Sequence, residues 1–486
     1  MRFAKKILGV GLATALSRIL GFVRDMLIGR ILGAGRLSDI FLTAFKLPNL
    51  FRDLLGEGAM SSVFIPMFSR EKKSASFASN AFSWLFLILL IITILMLIFM
   101  PLIMMGMAPG FDAEKLAMTV YIGRIMIGYI ILVSVAGFLS AILNAFSDFW
   151  IAALSPTILN VALIFGLLTF GANVPALAVM VLLSGVIQIL VLWRRLWQRN
   201  FGLRIIRPRV DPLIKTMKKR MSWGFFGTGF YQINVIVGVI IASFQTGAVS
   251  YLYYSDRLVQ LPFAIIGLAM GTVILTKVSD AMAAGKMDLV YKYQNTAIRS
   301  SLMLTLPCMV GLIVLASPIV RVLFEHGEWT AAATSAVAVA LMIQALSLPF
   351  MTTSQVYLKT LYASGDAKTP VKISAWTLLL STVTMIALSG VFGYLAVPAG
   401  TLVGGIVRNF WLKRAAIHRN ILTADFNGLA AGGVFLVLSL GMGAALYYVN
   451  NAGMAQGFFS LAIIIGLSAV IYLPIALFCD KIISKR

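Results

Sequence analysis

The chain has 486 residues, of which 60% are hydrophobic and 12% charged, with a mean hydropathy of +0.96. A soluble domain is nearer half apolar and a quarter charged, so this composition excludes one. The net charge of +23 comes from Lys and Arg set between apolar runs, which is membrane topology rather than a nucleic-acid-binding face, and no nucleic-acid partner is expected.

Apolar runs long enough to cross about 30 Å of hydrocarbon recur along the whole length. They predict an all-α polytopic membrane protein of about fourteen transmembrane helices. The first six fall over 7–32, 37–66, 82–107, 117–145, 151–171 and 175–194. The next six fall over 222–244, 249–276, 299–319, 331–362, 370–392 and 395–412, and the last two over 428–449 and 456–479. MRFAKK followed by ILGVGLATALS has the features of a cleaved signal, but the apolar pattern runs past Arg18 to Leu32 and reads as a retained first helix.

The first two helices carry charge where it is most costly. SRILGFVRDMLIGRILGAGRLSD, residues 17–39, holds Arg18, Arg24, Asp25, Arg30, Arg36 and Asp39. Arg18 and Asp25 share a helical face, with Arg24 beside them. In the second helix Asp39, Thr43, Lys46, Asn49, Asp53 and Glu57 recur at helical spacing as one polar stripe. Arg52 sits about 100° to its side. The eighth span brings Asp256 and Arg257 within YLYYSDRLVQLP.

A charge at mid-bilayer costs about 2.5–3.5 kcal/mol on insertion scales, so six facing lipid would forfeit about 15–20 kcal/mol. The stripe is therefore expected to face protein or water, and a hydrated cavity between two lobes satisfies it. Salt bridges that merely join helices are the competing reading, strongest for Arg24–Asp25 and Asp256–Arg257. Arg30 and Arg36 lie nearer the outer end, where they reach the interface. Arg18, Arg24, Arg52, Arg257 and Lys46 outnumber the facing acids, and a guanidinium fork matches phosphate oxygens. An anionic, phosphate-bearing solute is the expected substrate class.

Loop charge alternates. REKKS (70–74), the segments 194–220, 286–299 and 408–419, and the terminal KIISKR are basic. TFGANVP, TGAVS, GVFGYLAVP and NNAGMAQG on the other side contain no Lys or Arg, and the remaining three loops there hold one each: Arg36, Lys115 and Arg321. The positive-inside bias then places both termini in the cytoplasm.

The halves echo each other. Gly33-Ala34 recurs as Gly247-Ala248, Leu47-Pro48 as Leu261-Pro262, Gly110 as Gly327, and LNAFSD (143–148) as LYASGD (361–366). Ordered matches at nearly constant displacement imply duplication, and six intervening spans make the repeats parallel. The expected organisation is an N-terminal lobe over 1–200 with a charged cavity face, a basic cytoplasmic linker over 201–221, and a C-terminal lobe over 222–420. Two further helices occupy 421–486.

Cys308 and Cys479 are far apart in apolar segments, and His326 and His418 are isolated, so no metal, redox or nucleophile pattern is present in the sequence. The outer loops are too short to build an enzyme site on lipid-linked sugars, and the arginine excess disfavours a multidrug–cation antiporter. A transporter is expected, with no cofactor.

At these residues the chain resembles the MurJ (MviN) family, lipid II flippases of the multidrug/oligosaccharidyl-lipid/polysaccharide exporter superfamily. The matching stretches are SRILGFVRD (17–25), SDIFLTAFKLPNLFRDLLGEGAMSSVFIPMF (38–68), LNAFSDFWIAALSPTILN (143–160), YYSDRLVQLP (253–262), LFEHGEWT (323–330) and LYASGDAKTPVK (361–372). The resemblance implies outward movement of the undecaprenyl-diphosphate-linked peptidoglycan precursor, lipid II, across the bacterial inner membrane by alternating access. It also implies a monomer working beside the cell-wall synthesis machinery. Functional arginines then fall on Arg18, Arg24, Arg52 and Arg257, with Asp39, Asn49 and Glu57 in the same motifs. Helices thirteen and fourteen would form a membrane-open groove for the lipid tail.

Lys368 and its AKTP turn would stand at a cytoplasmic gate, and Gly33, Gly35 and GEGA (56–59) would permit helix bending. Some relatives carry a carboxylate-bearing sodium site among helices seven, eleven and twelve. Here 222–244, 371–392 and 395–412 contain no Asp or Glu. Membrane potential and cation coupling both stand as energy sources.

Overall fold

The computed structural model describes residues 2–52, 63–422, 426–455 and 457–483, with the side chains of 2–8, 221–231 and 426–430 left aside. Asp53, Glu57 and the GEGA stretch lie outside the described residues. Among the described residues the secondary structure is helical, and ten stretches are long and apolar enough to cross a membrane.

In chain order the helices are α1 (Arg2–Leu32), α2 (Arg36–Phe51), α3 (Ile65–Arg70), α4 (Ala75–Ile98), α5 (Met100–Met107), α6 (Ala113–Met126) and α7 (Tyr129–Ala145). They continue as α8 (Phe149–Phe170), α9 (Val174–Trp197), α10 (Pro212–Ser243), α11 (Ala248–Pro262), α12 (Ala269–Ala283), α13 (Met287–Val314) and α14 (Ala316–Phe324). The last are α15 (Ala331–Ala345), α16 (Leu348–Ala363), α17 (Lys368–Phe392), α18 (Ala396–His418), α19 (Phe426–Asn451) and α20 (Phe458–Ile483). All fourteen expected spans are helical where described, so the polytopic all-α fold stands.

Several spans are broken helices rather than single rods. Pro101 and Pro349 sit just inside α5 and α16, where a missing N–H is harmless but a continuing helix would be interrupted. Pro262 closes α11 and leads into one turn of π-helix, Phe263–Leu268, before α12. Capping side chains moved other boundaries. Asp112 accepts from Lys115 N at 2.8 Å, so α6 starts four residues earlier than periodicity alone placed it. Lys115, read above as an outer-loop charge, is thereby a helix residue. Asp211 likewise accepts from Ile214 N at 2.7 Å, and α10 begins at Pro212.

The chain forms two compact units: Met1–Val249 with His326–Trp329, and Ser250–Glu325 with Thr330–Arg486. In the first, a stack of Phe64, Phe68, Phe77, Phe82 and Phe138 gathers α3, α4 and α7. The segment after α9 runs extended along α4, with Arg204 N and Ile206 N donating to the hydroxyls of Ser79 and Ser83. In the second unit α19 and α20 pack on α13 through Met303, Leu306, Ala431, Phe435, Tyr472 and Ala476.

The duplication is visible in the backbone caps. Left-handed residues end corresponding helices in pairs: Gly33 and Gly247, Lys72 and Gly285, Ser147 and Gly365, Gly171 and Gly393, Asn200 and Asn420. Three of these pairs close the same 6→1 hydrogen bond. Asp148 N donates to Leu143 O (2.9 Å) as Asp366 N does to Leu361 O (3.0 Å). Lys73 and Phe68 match Lys286 and Ala281, and Phe201 and Leu196 match Ile421 and Ala416.

Candidate functional site

Arg24 is buried on α1, 6% exposed, in helices that are otherwise apolar. Its Nε and Nη2 donate to one oxygen of Asp25 at 3.0 and 2.6 Å, and its Nη1 donates to Asn160 Oδ1 at 2.9 Å. The Asn160 amide nitrogen in turn donates to Ser17 O at 2.9 Å, tying α8 to α1. Gly21 faces this contact, and a Cβ there would stand 3.4 Å from the Asn160 amide nitrogen, in ordinary contact with it. Asn160 ends the SPTILN motif but carries no charge, and charge was the signal followed above. A lone amide in an apolar helix is the signal that would have found it.

Arg52 follows the last turn of α2 and lines a cavity of about 370 Å³ within the first unit. Tyr129, Ser140, Asn144, Ser155 and Gln188 add polar groups to its wall. Gln188 Nε2 donates to the Tyr129 hydroxyl at 3.3 Å, and Ser155 Oγ donates to Gln188 Oε1 at 3.4 Å. The Tyr129 phenol lies within electrostatic reach of both Arg52 and Arg24. Among the described residues lining the cavity Arg52 is the one charged group, and it gives a positive end to a largely apolar wall that carries these few hydrogen-bonding groups.

The stripe on α2 divides. Asp39 and Thr43 are wholly buried, whereas Lys46 and Asn49 are half-buried. Asp39 pairs with Lys115 Nζ at 2.7 Å and accepts from Gly247 N at 2.7 Å. Its carboxylate thus joins α2, α6 and the turn before α11. Arg18 is exposed on α1. In the second unit Arg257 is half-buried on α11, donates to the Tyr253 hydroxyl at 3.1 Å, and lies 5.0 Å from that ring's centroid. Asp256 is exposed and accepts from Gln260. Within the first unit, then, Arg24, Asp25 and Asn160 form one node and Arg52 a second. Asp39 and Lys115 form a third, and Glu57 lies outside the described residues.

Gly33 ends α1 at φ +68° and Gly35 caps α2, so this pair makes the α1–α2 turn. A Cβ at Gly33 would stand 2.6 Å from Glu328 O, which demands glycine there. At the opposite ends of the helices, Asp148 accepts from Arg195 Nε (2.6 Å) and Arg199 Nη2 (2.9 Å). Burial pushes its carboxyl up, but those two hydrogen-bonded guanidinium groups outweigh burial and hold it below the ordinary carboxylate value. Asp366 repeats the arrangement with Thr369, Lys368 N and Arg419, and it too is held low against the effect of burial.

The chain matches the family model described as "Lipid II flippase MurJ" over residues 28–467. A Rickettsia prowazekii protein named "Probable lipid II flippase MurJ" is 34% identical over 420 residues, covering 83% of each chain. A Rhizobium tropici protein of the same name is 33% identical over 467 residues, covering 93% of this chain and 88% of that one. A solved lipid II flippase MurJ in an inward closed conformation matches with TM-score 0.82 at 25% identity, over 97% of this chain and 99% of that one. An inward-facing multidrug resistance MATE family transporter shares the fold with TM-score 0.67 at 14% identity, over 88% and 95%.

Proposed function

The chain belongs to the lipid II flippase MurJ family, and on that premise we propose that it moves lipid II from the cytoplasmic to the periplasmic leaflet of the bacterial inner membrane. The observation that carries the reading is the concentration of arginines on helices that otherwise belong in hydrocarbon. Arg24 is buried within α1, and Arg52 lines a cavity whose wall also carries Tyr129, Asn144 and Gln188. Such groups are costly to insert and are kept where they contact a polar solute.

In this reading the diphosphate of the substrate is held by Arg18, Arg24, Arg52 and Arg257, with Lys46, Asn49, Asp25, Asp39, Asp256 and Glu57 shaping the polar surface around it. Arg24 arrives at the task already oriented, because Asp25 and Asn160 fix its rotamer and little side-chain entropy remains to be lost on binding. The undecaprenyl tail stays in lipid along α19 and α20, and the headgroup is exposed alternately to the cytoplasm and the periplasm. Both termini lie in the cytoplasm by loop charge. The cycle needs no cofactor. Membrane potential acting on the charged helices, at about 2.3 kcal/mol per charge per 100 mV, or cation coupling supplies the energy. Multidrug resistance MATE family transporters share the fold, and a multidrug–cation antiporter is the competing reading, but a surface this rich in guanidinium groups repels cationic solutes.

The test is depletion of the protein in cells, with replacement by variants and measurement of lipid II on each leaflet. Arg24→Ala, Arg52→Ala and Arg257→Ala should each strand lipid II on the cytoplasmic side while the protein still accumulates in the membrane. Arg→Lys at the same positions should restore only part of the flux, because the bidentate donor geometry is lost. Normal flux in all three alanine variants would remove the arginines from the transport path.

A further inference from the structure

A second cationic site lies at the basic end of α18, apart from the arginines assigned to transport. A cavity of about 540 Å³ opens between the start of α17 and the end of α18, lined by Thr369, Trp411, Arg414, His418 and Arg419 among others. Trp411, Arg414 and His418 recur at helical spacing and present one face. Arg419 is engaged: its Nη2 reaches Asp366 Oδ2 at 2.9 Å and donates to Thr369 Oγ1 at 3.1 Å. Asp366 is engaged as well, since its other oxygen accepts from Lys368 N and Thr369 N. Arg414 and His418 are exposed, and among the described residues neither makes an ion pair or a side-chain hydrogen bond.

The internal repeat relates this end of α18 to the end of α9, and what differs is how the arginines there are engaged. The displacement of 220 that relates Asn200 to Asn420 and Leu196 to Ala416 relates Arg194 to Arg414 and Arg199 to Arg419, and it sets Arg195 against Ala415. In the first unit Asp148 takes both nearby guanidinium groups, Arg195 and Arg199. In the second, Ala415 stands where the first has Arg195, the aspartate takes Arg419 alone, and Arg414 faces the open cavity. Below it on α17, Trp376, Leu379 and Val383 are exposed and apolar. Cations and an indole at a helix end, above a stripe suited to acyl chains, match a phospholipid at the membrane interface.

We propose that this pocket binds a phosphate group, with Arg414 as its main ligand, His418 and the Thr369 hydroxyl beside it, and an anionic membrane lipid as its source. The full-length chain in phosphatidylcholine discs is titrated with phosphatidylglycerol, and bound lipid is counted by native mass spectrometry. The unsubstituted chain should retain phosphatidylglycerol in preference to phosphatidylcholine, and Arg414→Ala with His418→Ala should weaken retention by about tenfold, one charge-assisted contact being worth that much. Arg414→Gln, which keeps the side-chain length, should weaken it similarly if the double variant fails to fold. Arg195→Ala in the first unit should leave it unchanged. Inorganic phosphate at millimolar concentration should not displace the lipid. Displacement by it would transfer the site to a soluble phosphate and overturn the lipid assignment, and equal retention by folded variants would overturn the site itself.

Discussion

Lys115 and Asp39 form an ion pair that water does not reach: 2.7 Å apart, with side chains 4% and 0% exposed. Such a pair adds little net stability over an apolar replacement, yet removing one partner leaves a bare buried charge and costs about 3–5 kcal/mol. Here the stranded group would be Asp39, whose remaining donor is the Gly247 amide together with any other contact that stays in place. Lys115→Met should therefore lower stability by about 3–5 kcal/mol, and adding Asp39→Asn should recover much of that loss. Thermal unfolding of the purified chain in detergent measures both. A Lys115→Met chain that melts like the unsubstituted one would show that the pair does not hold α2 to α6. Sequence periodicity could not have joined these two residues. Lys115 reads as a loop charge until Asp112 is recognised as a helix cap, and nothing in the pattern links positions 76 residues apart.

At the scale of elements, α17 and α18 pack by the absence of side chains. A Cβ at Gly400 would stand 2.5 Å from Met385 Cγ and 2.8 Å from Ser381 O, and one at Gly404 would stand 2.8 Å from Ser381 Cβ and 3.0 Å from Thr377 O. Both glycines occupy one face, four residues apart, as in the small-xxx-small contacts that let membrane helices approach closely. Gly404→Ile should push the helices apart and destabilise by about 1–3 kcal/mol, as overpacking does. Gly405 has nothing within 4 Å of its would-be Cβ, so Gly405→Ala should be neutral or stabilise slightly through helix propensity. Melting temperatures and membrane accumulation compare the two. Loss of stability at both positions alike would assign the effect to backbone flexibility instead. Helix existence was legible because apolar runs recur along the chain, ten helical stretches among the described residues meeting the bilayer's demand by length and composition. Helix breaks were legible only in part, since Pro101, Pro318 and Pro349 mark three of them but the break between α6 and α7, at Ile127–Gly128, carries no proline.

Over the whole molecule, the duplication survives more clearly in backbone conformation than in residue identity. The sequence shows Gly33 against Gly247 and Asp148 against Asp366, but it hides Lys72 against Gly285 and Ser147 against Gly365, because different side chains serve one left-handed cap. The charged residues of the candidate site diverged instead: the buried Arg24 and Asp39 both belong to the first unit, while the second supplies Arg257. Selection on the caps acts through φ, and this gives a paired expectation. Gly285 (φ +69°) and Gly365 (φ +82°) have nothing within 4 Å of a would-be Cβ, so a side chain there meets only the intrinsic left-handed penalty. Gly285→Ala and Gly365→Ala should each cost about 1–2 kcal/mol in thermal unfolding. Lys72→Gly and Asn200→Gly, at φ +50° and +54°, place glycine into the same conformation. They should leave stability unchanged or raise it by up to about 1 kcal/mol, because relief of the left-handed strain opposes the greater entropy glycine loses on folding. If the glycine-to-alanine and the residue-to-glycine variants shift the melting temperature in the same direction, the shared caps are not what terminates the paired helices.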